Sequence, residues 1–285
     1  MKLIKQTAEI WNQSYDEVGI YKAVERAARL CYKSNDKVTD VSYKRFIDMI
    51  RSNGHNSPME HGTVYLTVPY NIPDDLRIKG YSNNPYSIVR ISEDCKTAYI
   101  TTNYRVLIEN GWLEDLQYLC EPTEHHERRI SVHITTSIGI SRELNRHRCH
   151  SICEESSRYC CYAKDKFGNC ITYIIPNWAN IEEGEYTNML EIIRKTPIDG
   201  YELGVPKYLE TLLNAEITYL TLINKGKTAQ QSREILPLST KTELVHTAFE
   251  SDWRRFFNLR CSTAAHPMMQ ELANQIKGLI DNNQG

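Results

Sequence analysis

Residues 146–159 read RHRCHSICEESSRY. Arg146, Arg148 and Arg158 supply three guanidinium forks, and Ser151, Ser156 and Ser157 three hydroxyls, within 13 residues. Phosphate recognition favours this mix of bidentate arginine, short hydroxyls and backbone N–H groups. Glu154 and Glu155 interrupt the basic run, and apolar, strand-like sequence flanks it on both sides, which disfavours a plain solvated face. Two other chemistries compete. His147, Cys149, His150, Cys153, Cys160, Cys161 and Cys170 crowd into 24 positions, but zinc sites are built from cysteine pairs spaced C-x2-4-C. Cys149-x3-Cys153 fits that loosely, Cys160 and Cys161 are adjacent, and Cys170 has no close mate, so free core cysteines are favoured over a metal. A nucleophilic thiolate needs a neighbouring cation, and Cys149 lies between Arg148 and His150. In a chain with nine cysteines such an adjacency is weak. The stretch reads first as a site for a phosphate-containing ligand.

Positioning it takes a folded core, which 285 residues with 41% hydrophobic and 25% charged side chains can build. The net charge of -2 argues against coating nucleic acid by bulk electrostatics, so anion binding must come from local clusters. There is no membrane-length apolar run, and MKLIKQTAEIWNQ lacks the apolar core of a signal peptide. With an odd number of cysteines, that predicts a cytoplasmic protein with free thiols.

Apolar spacing at Ile20, Val24, Ala27 and Leu30 predicts a helix over 16–34, and a second follows at about 40–52. SNGHNSPMEHG (52–62) closes it with turn formers, and TVYLTV (63–68) reads as a strand. Residues 70–128 read as a polar insertion with strands at YSIVRI and TAYITT and a short helix ending at Gly111; CEPTEHHERR (120–129) reads as exposed. ISVHITTS (130–137) is a strand, and IGISRELNRHR (138–148) a helix running into the motif. A strand at 170–175 precedes helices near 186–196, 201–225 and 227–235, the last stopped by Pro237. TELVHTAF (242–249) is ambiguous; 251–260, with Ser251 or Asp252 as N-cap, and 267–280 read as helices. The chain is one α+β domain over 1–285 with a helical second half.

Within this frame RELNRHRCHSICEESSRY (142–159) resembles the signature of the flavin-dependent thymidylate synthases, Arg-His-Arg, seven residues, then Ser. Here these are Arg146-His147-Arg148 and Ser156, and the fuller pattern is met at Ser151, Arg158 and Tyr159, with Cys153 replacing the usual Asn. GHNSPMEH (54–61) is similar to the family's G-H-x-[ST]-P-x-E-H, RAARLCY (26–32) to its R-A-A-R helix, and SREILPL (232–238) to R-x-x-L-P-L. DWRRFFNLR (252–260) resembles W-R-x-F-x-x-x-R, and AHPMMQEL the tail after it. Residues 70–128 have no clear counterpart in shorter members.

The resemblance implies a central, mostly antiparallel sheet with flanking helices, assembled as a homotetramer whose active sites are shared between subunits. It implies methylation of dUMP to dTMP, with 5,10-methylenetetrahydrofolate giving the carbon and FAD, reduced by NADPH, giving the hydride. Arg146, His147 and Arg148 would line the flavin and folate region, Arg146 also reaching the nucleotide. Glu143, one helical turn earlier, would orient them and touch the nucleotide. Glu155, Ser156, Ser157 and Arg158 would form the phosphate and sugar loop, Glu154 serving both ligands, with Arg233 completing the clamp from another subunit. Arg260 would be the catalytic group, facing the pyrimidine and favouring its polarised form. His55 and Ser57 would sit at the flavin; Glu60 and His61 read equally well as structural. Phe249 and Ser251 stand where the family often has Asn and Arg, so Ser251 and Arg255 are the flavin contacts this helix offers, with His266 a further possibility.

Two rival readings remain. The other thymidylate synthase class attacks with a cysteine that follows a proline, and none of the ten prolines here precedes a cysteine. An RNA- or nucleotide-binding module could use the Arg/Ser loop with tyrosine stacking, but the near-neutral charge disfavours it.

Overall fold

The structure, a computed structural model, describes residues 1–70, 75–196 and 204–283. Its strands are β1 (Lys2–Ile4), β2 (Thr7–Ile10), β3 (Thr63–Pro69), β4 (Ile88–Ile91), β5 (Thr97–Asn103), β6 (Arg129–Ser137), β7 (Ser151–Glu154), β8 (Thr172–Ile174), β9 (Gly184–Glu185) and β10 (Lys241–Phe249). The helices are α1 (Glu17–Tyr32), α2 (Ser42–Ser52), α3 (Leu76–Asn83), α4 (Tyr104–Asn110), α5 (Ile138–Leu144), α6 (Met189–Lys195), α7 (Val205–Asn224), α8 (Ala229–Ser232), α9 (Glu250–Arg260) and α10 (Pro267–Asn282). The predicted start of α7 at 201–203 lies outside the described residues.

In place of one central sheet there are three among the described residues: antiparallel β2-β6-β10-β7, antiparallel β3-β5-β4, and a mixed β8-β1-β9. Each lies against its own apolar cluster. In β6, Ile130, Val132 and Ile134 alternate with Ser131, His133 and Thr135, and the apolar set packs on Trp253, Phe256, Met269 and Leu272 of α9 and α10. Burying a side chain of that size stabilises by about 1.5–3 kcal/mol.

The ambiguity at 242–249 resolves as strand β10, paired with β6 along its whole length and with β7 on its other edge. Leu244 and Ala248 face α9 and α10, while Val245 packs with Ala27, Leu30 and Cys153 on the α1 side. With both faces covered, the apolar alternation that marks a half-buried strand is lost.

Helix α5 is shorter than predicted. It ends at Leu144, capped by Asn145, so Arg146–Arg148 form a turn that returns the chain to β10 as β7, a strand the sequence did not reveal. The strands β1, β2 and β9 also escaped prediction; each is four residues or fewer, too short for a periodic signal. Neither Ser251 nor Asp252 caps α9: the flanking residue is Phe249, and the Ser251 N–H donates to Glu127 Oε1 at 3.0 Å. Segment 120–129 is not uniformly exposed. Arg129 is buried, donating to Glu60 O at 2.6 Å and Ser151 Oγ at 2.8 Å, and burial pulls its pKa down to about 10. Its predecessors at 121–125 stay largely at the surface. Within 70–128, β4, β5 and α4 fall where predicted, α4 ending at Gly111 with φ 72°, a left-handed cap that glycine adopts without a Cβ penalty.

Candidate active site

The turn after α5 and the last turn of α9 meet. Arg260 Nε donates to His147 Nε2 at 3.0 Å, Nη1 to Glu143 Oε2 at 3.0 Å, and Nη2 to Glu143 O at 3.1 Å. Because Nε2 accepts, the His147 imidazole is neutral with its proton on Nδ1. Burial, reinforced by the Arg260 charge, pushes its pKa down to about 4, so it stays an acceptor at neutral pH. Phe256 supports the ring edge-to-face at 4.8 Å. Glu143 therefore orients Arg260, where the sequence suggested Arg146 or His147. Arg146 and Arg148 are exposed.

Behind His147 lies a set of imidazoles that the sequence did not indicate. His150 Nδ1 and His246 Nδ1 are 3.1 Å apart, and His61 Nδ1 meets Thr247 Oγ1 at 2.8 Å. Burial pushes His61 and His150 down to about 3 and drives His246 well below its usual value, so the set is neutral. Among the described residues no group of three or more His, Cys, Asp or Glu is placed to hold a metal.

At the other end of β7, Arg233 Nη1 lies 3.5 Å from Ser157 Oγ, and Arg158 Nε donates to Gln230 Oε1 at 3.2 Å. Arg233 thus reaches the Ser157 side within a single chain. The Ser156 N–H donates to Cys31 O at 3.0 Å, tying the loop to the end of α1. Glu155 turns inward, its carboxylate on Lys241 Nζ at 2.8 Å. Glu154, the last residue of β7, is held from two sides: Asn145 Nδ2 donates to Oε2 and Thr242 Oγ1 to Oε1, each at 3.0 Å.

Glu154 also borders a groove of about 1290 Å³ walled by α1, α2, the turn 53–58, α4 and β7. His55 and Ser57 lie on it, both exposed. Its charged lining is Arg29, Lys37, Arg45 and Arg105 with Glu109 and Glu154, Arg29 being paired also with Glu25 and Arg105 with Glu60. The groove exceeds the range of about 300–1,000 Å³ typical of small-molecule pockets, and its cations suit an extended, anionic dinucleotide. Ser251 and Arg255 are not brought to it: Arg255 projects into solvent beside Asp252 at 3.5 Å, and Ser251 is tied to Glu127. His266 caps α10, accepting from the Met268 N–H at 3.2 Å. Asn145, Thr242, Arg45 and Arg105 were missed because nothing in their local sequence marks them; only the fold brings them here.

Comparison with known proteins adds the family. A flavin-dependent thymidylate synthase of Aquifex aeolicus is 22% identical over 311 residues, covering 92% of this chain and 95% of that protein. One from Kosmotoga olearia is 28% identical over 141 residues, covering 50% of this chain and 57% of its own length. A solved UMP/dUMP methylase, PolB from Streptomyces cacaoi, aligns over 99% of this chain and 92% of its own at 17% identity with a TM-score of 0.47, too distant to carry a conclusion. The family model described as thymidylate synthase complementing protein (Thy1) matches residues 96–282, well over half of the chain. With that match spanning the motif, β10 and the Arg260 helix, the chain belongs to the thymidylate synthase complementing protein family, the flavin-dependent thymidylate synthases.

Proposed function

We propose that this chain methylates dUMP to dTMP with FAD as cofactor, methylenetetrahydrofolate as carbon donor and NADPH as reductant. The observation that carries the reading is the guanidinium of Arg260, fixed by Glu143 and neutral His147. A guanidinium has five N–H donors. Three are used here, leaving two to donate to a uracil carbonyl and draw charge from the ring. Pre-set donors aimed at developing negative charge can supply several kcal/mol of transition-state stabilisation. Ser156, Ser157, Arg158 and Arg233 hold the nucleotide phosphate, and Glu154, which ends β7 beside that loop and borders the groove, sits between nucleotide and flavin.

The groove's donor set fits FAD: Arg45 and Arg105 would hold its diphosphate, and His55 and Ser57 would offer polar edges. FAD held there would supply the hydride chemistry, and these residues would orient it. Arg146 and Arg148, exposed in the single chain, line the flavin and folate side, and a second copy in a homotetramer covers them. Within 70–128, α4 walls the groove through Arg105 and Glu109.

The test is direct. Purified protein should be yellow or bind added FAD, shift its flavin absorbance with dUMP, and release tritium from C5-labelled dUMP when folate and NADPH are present. A colourless protein that neither takes up FAD nor releases tritium would sink the reading.

A further inference from the structure

Beneath the Ser156–Arg158 loop lies a closed alternation of charges that the reaction as proposed does not use. Glu155 is almost wholly buried, its carboxyl 1% exposed, with Lys241 Nζ at 2.8 Å and Lys33 Nζ at 3.8 Å. Lys241 Nζ also donates to Glu243 Oε1 at 2.7 Å, and Lys33 pairs with the second oxygen of Glu243. The Glu155 N–H donates to Glu243 O at 2.8 Å, so its backbone and its side chain are both anchored to β10.

Lys33 occupies an unusual position. It caps α1 with φ 48° and ψ 51°, the left-handed conformation that favours glycine. A lysine there bears a steric cost, which its ion pairs with Glu243 and Glu155 offset. Two residues earlier, Cys31 O accepts the Ser156 N–H. One helix end thus grips the loop twice, by backbone at Ser156 and by side chain at Glu155.

A buried carboxylate next to a phosphate site is an electrostatic liability, because like charges at such distances repel strongly in a low dielectric. Two lysines and two glutamates cancel it. Resting on the nucleotide reading above, we infer that Lys241 and Lys33 are positioning residues for the nucleotide phosphate. Through Glu155 they fix the start of the Ser156–Arg158 loop, and they neutralise the negative charge that would face the phosphate.

The experiment measures dUMP dissociation constants by calorimetry on FAD-loaded protein, alongside KM, kcat and the FAD dissociation constant. Lys241→Met is expected to raise dUMP Kd and KM by roughly 10- to 100-fold, with kcat within a few-fold and FAD affinity unchanged. Lys241→Arg should restore most of the loss. Lys241→Met combined with Glu155→Gln, which removes both charges, should return dUMP affinity to within several-fold of wild type. Should Lys241→Met not fold, Lys33→Met, which leaves Lys241 on Glu155, should show a smaller loss of roughly 3- to 10-fold. Unchanged dUMP affinity in either single variant, or a double variant no better than Lys241→Met, overturns the inference while leaving the nucleotide reading intact. Wild-type protein that binds no dUMP overturns both.

Discussion

The two ends of β7 use the same kinds of side chain in opposite ways. At the N-terminal end Arg260 and Glu143 form an ion pair whose members remain 17% and 34% exposed, with His147 beside them. At the C-terminal end Glu155 and Lys241 are 1% and 12% exposed, and each partner satisfies another. The open cluster leaves donor capacity that a ligand can take up. The closed cluster spends its hydrogen bonds internally except at the buried Glu155 Oε1, which is out of reach of solvent, so it can hold a loop in place but offers little to a substrate. Charge alone does not mark a reactive residue; unspent hydrogen-bonding capacity at an accessible position does.

If that contrast is right, substitutions in the open cluster should cost turnover, and those in the closed cluster should cost stability and nucleotide affinity while sparing turnover. The largest effect is expected for Arg260→Ala: a fall in turnover of about 100- to 1,000-fold, with FAD still bound by absorbance. Near-normal turnover would remove Arg260 from the reaction.

Acid should come next. His61, His150 and His147, with pKa values pushed down to about 3, 3 and 4, bind protons in the unfolded chain near pH 6.5 but not in the folded one. Stability is therefore fully present above pH 6.5 and falls as pH drops through the window from 6.5 toward 4. The slope approaches about 1.4 kcal/mol per pH unit for each histidine. Glu243, held well below the usual carboxylate range by its hydrogen bond from His133 and the charges of Lys241 and Lys33 despite burial, adds to the loss below pH 4.5. Urea unfolding at pH 7.5, 6 and 5 checks this; a flat profile would contradict the buried neutral histidines.

Glu243→Gln, which breaks the closed cluster, should destabilise by about 3 kcal/mol, read as a lower urea midpoint. Glu143→Gln in the half-open pair should cost under about 1 kcal/mol of stability while lowering turnover. Equal stability losses at the two sites would erase the distinction between the clusters. The smallest effect is expected for Cys149→Ser, with activity within about twofold of wild type, since its thiol, raised by burial and by Asp252, is a poor nucleophile. Loss of activity together with a stoichiometric zinc would revive the metal reading.

Much of this was legible in the chain. The spacing from Arg146 to Ser156 and the ordered blocks around Arg233 and Arg260 identified the family, because they are local patterns of fixed length. Helices α1, α2, α9 and α10 followed from their apolar periodicity, and β4, β5 and α4 from theirs. The motif's own fold was less visible. RHRCHSICEESSRY contains a four-residue strand whose hydrogen bonds come from β10, more than 85 residues away, so no local period announces it.

The sequence by itself determined which residue types are available and in what order: three arginines, two glutamates and three serines around one short stretch. Only the tertiary structure decided that adjacent Glu154 and Glu155 do different work. On alternate faces of an extended segment, successive side chains point opposite ways. Glu154 turns to Asn145, Thr242 and the groove, and Glu155 turns to Lys241 and Lys33 in the interior. Their partners arrive from α1 and β10, and the distances that make one carboxylate reachable and the other sealed exist only once those elements have packed.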